Sequence, residues 1–350
     1  MPEARAYLDH AATTPLLPAA REAMAEALAR WHNPSSPHAE GRAAKAALEE
    51  ARTRIAAALG WTGKIVFTSG ASEALAIALG RAKSGTCYVS AVEHEAVFRA
   101  VPNGVRLPVG PAGLVHATGV DGERPLVAVQ HANNETGVLQ PLDKIAEAVR
   151  ENGGILLADC AQTAGKLSLP DADMIAISAH KFGGPPGVGA LLLRDFGLIE
   201  AVGGQEQGYR PGTENLPGIL AMAAALEAAP RWIDKAAELR EQLEAALVAA
   251  DGEVVASGSP RIPTIGAYRM PGVPSNAQLI QFDLAGIAVS AGSACSSGSL
   301  KPSHVLAAMG WDETAAREVV RVSFGPSTTA QEVDRFVRAW TRIAAKRRAA

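Results

Sequence analysis

Apolar residues follow two alternating patterns through the first two thirds of the chain. One has helical spacing, as at Leu48, Ala51, Ile55 and Leu59, which precede Gly60. The other consists of short continuous apolar runs, which are typical of strands buried on both faces by helices. This alternation predicts an α/β fold with a mostly parallel sheet flanked by helices. The runs lie at 65–68, 87–89, 126–129, 155–158, 174–177 and 190–193.

The pattern changes near residue 250. Two long helical stretches, 217–229 and 232–249, come first, and a proline-rich segment with shorter apolar runs follows them. A capping-box pattern from Thr329 to Glu332 predicts the start of a final helix that runs to the end of the chain. These features predict a second, smaller α+β domain in the last third of the chain.

Composition and charge exclude several classes of function. Of 350 residues, 48% are hydrophobic and 20% are charged, which is typical of a globular protein. The formal net charge is −3, and the charged residues are scattered along the chain, which argues against nucleic-acid and membrane-surface binding. No apolar signal core or membrane-length apolar run is present. We therefore expect a cytoplasmic protein.

The cysteines also limit the interpretation. Cys87, Cys160 and Cys295 are an odd number in a long chain, without a CxxC pair. That argues against a disulfide framework and for a reducing compartment. The histidines lack a zinc-type spacing with cysteine, so no metal site is expected. Cys87 and Cys160 lie beside or within apolar runs, whereas Cys295 lies among small residues and is predicted to be exposed and reactive.

Polar residues follow several of the predicted strands, where ligand sites of parallel sheets lie. Lys181 follows the run at 174–177 and sits among glycines and prolines, which suits a desolvated amine capable of Schiff-base chemistry. Asp159 ends another run, where it is either a binding carboxyl or a helix cap. His94 follows a third run and could stack on a ligand and move protons, although a surface histidine is the ordinary interpretation.

A small-residue turn at 68–73 leads from a strand into a helix. Backbone N–H groups at such a helix start, with the hydroxyl of Ser72, form a phosphate-binding arrangement. Many strand–helix turns have this composition, so the turn alone is equally compatible with a simple cap.

Taken together, these motifs resemble the cysteine desulfurases, a branch of the class V aminotransferase superfamily. The resemblance extends from residues 7–15 to residues 322–325 and includes nearly the whole chain. The motifs in order are YLDHAATTP at 7, NPSS at 33, TSGASE at 68, EH at 93, NNETG at 133, D159 with Q162, SAHK at 178, YRPGT at 209, GSACSSGSLKPSHVL at 292 and VSFG at 322. The stretch between Ser72 and His94 is shorter than the family pattern, and Cys160 stands where the family has a smaller residue.

The resemblance implies a fold-type I enzyme that depends on pyridoxal 5'-phosphate. It implies a large cofactor-binding domain at 15–250 and a small domain formed by 1–14 and 251–350, which carries Cys295. It also implies a homodimer.

The resemblance implies specific roles for individual residues. Lys181 would bind the cofactor covalently, Cys295 would take the sulfur of L-cysteine as a persulfide, and His94 would stack on the ring and share proton transfer with Lys181. Arg321 would bind the substrate carboxylate, a role that suits a planar guanidinium. Asp159 would contact the pyridine nitrogen of the cofactor, and Gln162 would contact its phenolic oxygen. Its phosphate would be held by Ala71, Ser72, Ser178 and His180, together with Thr213 of the partner subunit. Asn134 would contact both cofactor and substrate, and Asn33 would support Arg321.

The resemblance leaves alternatives open. A selenocysteine lyase, a cystine C–S lyase or an aminotransferase would share most motifs, although Cys295 argues against the aminotransferase. A non-catalytic binding protein on this fold is a further class, but it would be expected to lack Lys181, Asp159 or Cys295. The sulfur acceptor could be an iron–sulfur scaffold, a tRNA-thiolation relay or a cofactor pathway.

Overall fold

The computed structural model describes residues 5–30, 32–228, 232–292 and 302–348. Cys295 lies outside these ranges. Within them, the helices are α1 Pro18–Ala29, α2 Ala39–Leu59, α3 Ala71–Arg81, α4 Glu95–Ala100, α5 Leu142–Glu151, α6 Leu216–Glu227, α7 Ile233–Ala249, α8 Ser275–Leu284, α9 His304–Ala308, α10 Glu313–Ala316 and α11 Ala330–Arg348. The strands are β1 Ala6–Tyr7, β2 Lys64–Thr68, β3 Cys87–Ser90, β4 Val105–Leu107, β5 Leu126–Gln130, β6 Ile155–Asp159, β7 Met174–Ser178, β8 Gly189–Leu193, β9 Glu253–Val254, β10 Ile265–Arg269, β11 Ile287–Ala288 and β12 Val319–Ser323.

Local sequence signals set the limits of the best-predicted helices. Helix α2 ends at Leu59 because Gly60 adopts a left-handed φ of 63°, which costs glycine nothing. The capping box before α11 is confirmed: the Thr329 amide donates to Glu332 Oε2 at 2.9 Å, and the Glu332 amide donates to Thr329 Oγ1 at 3.3 Å.

The six apolar runs predicted as strands all lie in one seven-stranded sheet. The strand order is β2-β8-β7-β6-β5-β3-β4. Strand β8 runs in the direction opposite to the other six, so it is antiparallel to both of its neighbours. A parallel return after β7 would need a long crossover, and the short connection between Ser178 and Gly189 does not provide one. The prediction of a mostly parallel sheet is confirmed, and helices cover both faces.

Parallel pairing brings the carboxyl ends of three strands together. Gln130, the last residue of β5, pairs with Asp159, the last residue of β6. Asp159 pairs in turn with Ala176 of β7, two residues before that strand ends at Ser178. The segments that carry the predicted chemistry therefore leave the sheet along one edge.

A second hydrophobic core lies beneath the three-stranded sheet β9-β10-β12. The N-terminal segment joins it, because β1 pairs with β11 and Leu8 is buried there. Helix α7 also contributes its buried face to this core, although it falls within the predicted large domain. The boundary at residue 250 stays a prediction, and the packing of α7 favours a boundary before Ile233.

The helices of the described residues include none that is both long enough and apolar enough to cross a membrane.

A buried ion pair joins α2 to the segment that follows β8. The Arg52 guanidinium donates to both carboxyl oxygens of Glu206, at 2.9 and 3.0 Å, and to the Ile65 carbonyl at 2.7 Å. Glu206 also accepts the Phe67 amide at 2.7 Å, and its side chain is 1% exposed. Glu206 has a left-handed φ of 48°, so these bonds hold a strained turn in place.

We predict that Glu206→Gln lowers the free energy of unfolding by about 3 kcal/mol, because it leaves the buried Arg52 charge without its main counter-ion. Urea unfolding midpoints and slopes would measure the change. Glu49→Gln is the matched control, since Glu49 bonds the same guanidinium but is 49% exposed; it should cost less than about 1 kcal/mol. Equal losses in the two variants would contradict the assignment.

Candidate functional site

A cavity of about 440 Å³ lies at the carboxyl edge of the seven-stranded sheet. The turn before α3, the ends of β5, β6 and β7, and the segment after β1 form its walls. Its lining includes most of the residues that the sequence predicted for the site: Ala71, Ser72, His94, Asn134, Asp159, Gln162, Ser178, His180, Lys181 and Arg321.

Three predicted residues are not placed in this lining. Asn33 is exposed, and its side-chain oxygen accepts the Ser35 amide at 2.9 Å. Thr213 is exposed and is not among the described residues that line the cavity of its own chain. Cys295 is outside the described residues, so its role stays a prediction, as do those of Asn33 and Thr213.

Lys181 presents a half-buried amine that is positioned by the backbone. Its Nζ donates to the carbonyls of Ala11 at 2.7 Å and Ala12 at 2.9 Å. Both acceptors belong to the N-terminal segment that returns over the sheet edge from β1. The YLDHAATTP motif therefore has a direct physical purpose, since it contributes carbonyl oxygens that orient the predicted nucleophilic amine.

A second lysine, which the sequence analysis missed, lies close to Lys181. Burial and the neighbouring Lys181 charge lower the pKa of Lys166 to about 7. A lowered pKa alone would make Lys166 an equal candidate for Schiff-base chemistry. Geometry separates the two lysines, because Lys181 lines the large cavity and Lys166 lines only a small neighbouring one.

Asp159 lines the cavity but does not cap a helix, because the segment between β6 and β7 forms turns and contains no helix. Its Oδ1 accepts the Ala161 amide at 2.9 Å, which fixes the carboxyl at the start of these turns. Burial raises the pKa of Asp159, while the Ala161 hydrogen bond, His94 and Lys181 oppose that rise. A cationic ligand atom beside it would favour the ionised carboxylate.

Gln162 is held beside Asp159 with one polar atom unsatisfied. Its amide nitrogen donates to the Ala11 carbonyl at 3.0 Å, and its Oε1 is buried without a hydrogen-bond partner. Buried polar atoms are normally paired, so an orphan at the cavity wall indicates that a ligand completes the site. The second amide hydrogen remains available to an acceptor in the cavity.

The turn before α3 fits an anionic group. Gly70 has a φ of 149°, a conformation that favours glycine, and a Cβ there would approach Ser178 Oγ to 3.3 Å. The Glu73 carboxyl, which could repel an anion, is held by the Ser69 amide at 2.5 Å and by Arg210 Nε at 3.0 Å. Gly70, the N-cap of this eleven-residue helix, has no side chain that could occupy the first N–H groups, so they can bind an anion.

His94 and Glu93 begin the segment beside Asp159. The His94 Nδ1 accepts the Ala96 amide at 3.1 Å, so a neutral His94 carries its hydrogen on Nε2. Glu93 is 1% exposed: its Oε1 accepts the Gln130 amide at 2.8 Å and its Oε2 has no partner. Burial raises the pKa of Glu93 well above its usual value, and Asp159 adds to the rise.

His180 is arranged to stay neutral at physiological pH. Burial, Lys181 and Lys166 lower its pKa to about 4, and its Nδ1 lies 3.2 Å from Thr13 Oγ1. A neutral ring can donate one hydrogen and accept another.

Arg321 reaches the cavity from β12 and is held by two partners. Its Nη2 lies 2.7 Å from Asp9 Oδ1, and its Nη1 donates to the Asn134 carbonyl at 3.0 Å. Its Nε is buried without a partner. Asp9 also accepts the Ser290 hydroxyl at 2.8 Å. The guanidinium is therefore fixed in orientation before any ligand arrives.

Sequence reasoning missed Asp9, Glu93 and Lys166 as contributors to the site. Asp9 and Glu93 each stand inside a motif that the sequence analysis quoted, so motif membership was the available signal. The contacts themselves could not be inferred, because Asp9 and Arg321 are far apart in the chain and meet only when β1 joins the second core.

Comparisons with known proteins identify the family of this chain. The aminotransferase class-V family model matches residues 6–336. A cysteine desulfurase from Cereibacter sphaeroides is 37% identical, over 95% of this chain and 94% of its own. A solved NifS-like protein from Rickettsia africae has a TM-score of 0.89 at 30% identity, over 97% of this chain and 99% of its own. A protein named SspA, solved in complex with cysteine, has a TM-score of 0.79 at 29% identity, over 92% and 99% of the chains.

We predict that Glu93→Gln is stabilising above about pH 5. A carboxyl whose pKa is raised in the folded state contributes its full stability below the unfolded pKa of 4.5 and loses that stability as the pH rises. From about pH 5 to about pH 7 the variant should gain on the wild type by up to about 1.4 kcal/mol per pH unit.

Chemical denaturation at the two pH values would test this, with Glu95→Gln as the control for losing one acidic charge at an exposed position. The opposite result, in which the free energy of unfolding of the wild type rises relative to that of Glu93→Gln as the pH rises, would mean that Glu93 is ionised in the folded protein.

Proposed function

This chain belongs to the class-V aminotransferase family and to its cysteine desulfurase branch, and from that premise we propose that it removes sulfur from L-cysteine with the help of pyridoxal 5'-phosphate. The products are L-alanine and a persulfide on Cys295. The observation that carries the proposal is the joint placement of the Lys181 amine and the Asp159 carboxyl in one cavity of suitable size.

The residues of the cavity fit this cofactor. The turn before α3 suits its phosphate, with Ala71, Ser72, Ser178 and His180 around it. The Gln162 amide nitrogen, whose second hydrogen can donate into the cavity, suits its phenolic oxygen, and the buried Asp159 carboxyl suits a protonated pyridine nitrogen. When bound, the cofactor supplies an electron sink that weakens the bonds at the substrate's α and β carbons.

Lys181 would hold the cofactor and would also serve as a base. The Ala11 and Ala12 carbonyls keep its amine at the cavity wall, where it would bind the cofactor covalently. An amine at this position could take the substrate α-proton, and His94, which lines the same cavity, is the other candidate base. Asn134 lies in the same lining, where it would contact cofactor and substrate.

Arg321 binds the substrate carboxylate. Its orientation is set by Asp9 and the Asn134 carbonyl, so little of its side-chain freedom is lost when a substrate arrives. The buried Nε without a partner is the donor that we assign to the carboxylate. Asn33 would support this contact.

Cys295 carries out the sulfur transfer. Its thiolate attacks the sulfur of the bound cysteine, an S–S bond forms, and the C–S bond breaks with its electron pair going to carbon. Protonation of that carbon completes L-alanine, and the persulfide remains on Cys295. We propose that a sulfur-acceptor protein, such as an iron–sulfur scaffold, then takes this sulfur from a cytoplasmic homodimer in which Thr213 of each chain contacts the other chain's phosphate.

The decisive measurement is formation of L-alanine from L-cysteine by purified protein supplied with pyridoxal 5'-phosphate and a thiol reductant. We expect alanine and sulfide in equal amounts. A yellow, cofactor-loaded protein that makes no alanine from L-cysteine would refute the cysteine activity. Alanine from selenocysteine, or pyruvate from cystine, would then identify the substrate.

We predict that Cys295→Ser keeps the cofactor and its visible absorbance but loses at least about 99% of alanine formation, because a serine hydroxyl at neutral pH cannot replace a thiolate as the sulfur acceptor. Cys87→Ser is the matched control and should retain activity, since burial raises the pKa of Cys87 to about 11 and that thiol is outside the cavity lining. Full activity of Cys295→Ser would overturn the mechanism.

Lys181→Ala is expected to abolish the visible absorbance of the covalently bound cofactor, which spectrophotometry of the purified protein would show directly. Lys166→Met is the matched control, because Lys166 has a lowered pKa but does not line the large cavity. If Lys181→Ala keeps the visible absorbance and Lys166→Met loses it, then Lys166 rather than Lys181 binds the cofactor.

A further inference from the structure

The first residues of α9 contact two segments of the cavity wall. Ser303 caps the helix, since its hydroxyl oxygen accepts the Leu306 amide at 3.1 Å, and His304 is the first helical residue. Both come a short way after Cys295 in the chain. Neither lines the cavity, and the mechanism proposed above does not use them.

Ser303 is joined to the segment that holds Arg321. Its hydroxyl donates to Glu135 Oε2 at 2.5 Å, and both side chains are almost fully buried. Glu135 directly follows Asn134, whose carbonyl accepts Arg321 Nη1. A hydroxyl that donates to a carboxyl while accepting from its own helix has its orientation fixed at two points.

His304 is joined to the segment that carries His94. Its Nε2 lies 2.9 Å from the Glu93 carbonyl oxygen, and because a carbonyl only accepts, Nε2 carries the hydrogen. The ring also meets the edge of Phe98, with centroids 5.4 Å apart and planes at 80°. The bond is therefore made by a ring whose rotation is restricted, to the residue immediately before His94.

We propose that Ser303 and His304 are positioning residues for sulfur transfer, which fasten the chain leading from Cys295 to the segments that hold Asn134 and His94. The inference rests on the proposed function. A thiol on a tether attacks at a rate set by its effective concentration at the substrate, and that concentration depends on where the tether is fixed. Only seven residues lie between Cys295 and Ser303, so fixing Ser303 beside the segment of Asn134 limits how far the thiol can lie from that segment.

The test separates substrate binding from sulfur transfer in the cofactor-loaded enzyme. L-Cysteine is mixed rapidly with each variant, the change in cofactor absorbance reports binding, and mass spectrometry of quenched samples reports persulfide on Cys295. In Ser303→Ala and His304→Leu we expect the first-turnover rate of persulfide formation to fall about tenfold or more. Cofactor content and the Kd for L-cysteine should stay within about twofold of the wild type.

Conservative variants and controls distinguish positioning from simple loss of structure. His304→Gln retains an N–H donor near the Nε2 position and should restore most of the rate, and Ser303→Thr should do the same for the hydroxyl. The half-buried Ser259 and the exposed His116 provide controls, since Ser259→Ala and His116→Leu remove matching side chains away from the cavity. If Ser303→Ala does not fold because Glu135 loses its donor, the comparison of His304→Leu with His304→Gln tests the inference by itself.

Slow transfer with normal binding, restored by His304→Gln, would establish the inference. A first-turnover rate of persulfide formation within about twofold of the wild type in both Ser303→Ala and His304→Leu would overturn the inference. A parallel loss of cofactor content, L-cysteine binding and sulfur transfer would overturn it as well. A wild type that forms no persulfide at all would instead refute the proposed function, and this inference with it.

Discussion

The parallel register of β5, β6 and β7 is the constraint on which the rest of the molecule depends. It places Gln130 opposite Asp159 and ends β7 at Ser178, so that the segments leaving these strands begin side by side. The antiparallel return of β8 then brings Gly189 against the turn at Gly70, where a side chain would not fit between the two backbones. The Lys181 amine, the Asp159 carboxyl and the start of α3 meet at one edge because the strands that precede them are aligned.

Burial at this edge governs the charges. Removal of water disfavours ionised forms, which raises the pKa of Glu93 and lowers the pKa of Lys166 and His180. The cations near Lys181 reinforce the effect, since each positive charge makes the next less favourable. The result is a region in which acids and bases remain close to their neutral forms, and in which a ligand with fixed charges would determine which groups ionise.

The two ends of the chain complete the wall that the sheet leaves open. Residues 9–14 return from β1 and provide the carbonyls for Lys181, while Asp9 orients Arg321 from β12. Ser290 before Cys295 and Ser303 after it are each hydrogen-bonded to an acidic residue next to the cavity-lining segments. The second core thus contributes the Arg321 side chain and the segment before Cys295, whereas α9, after Cys295, packs in a separate apolar cluster that includes Val92.

Much of this arrangement could be predicted from the chain alone. Continuous apolar runs specified six strands of the large sheet because strands covered on both faces have few positions for polar residues. Local signals such as Gly60 and the Thr329–Glu332 box marked helix ends, since caps depend on residues a few positions apart. The motifs after the strands indicated Lys181, Asp159 and His94 because ligand sites of parallel sheets lie at that edge.

Only the tertiary structure decided the remainder. The antiparallel direction of β8, the membership of α7 in the second core and the pairing of Asp9 with Arg321 depend on contacts between distant parts of the chain. The competing role of Lys166 appeared only with its burial, since the same residue type in water would keep its ordinary pKa. A sequence specifies which groups are available along the chain, whereas their desolvation and partners arise from packing between segments that are remote in that sequence.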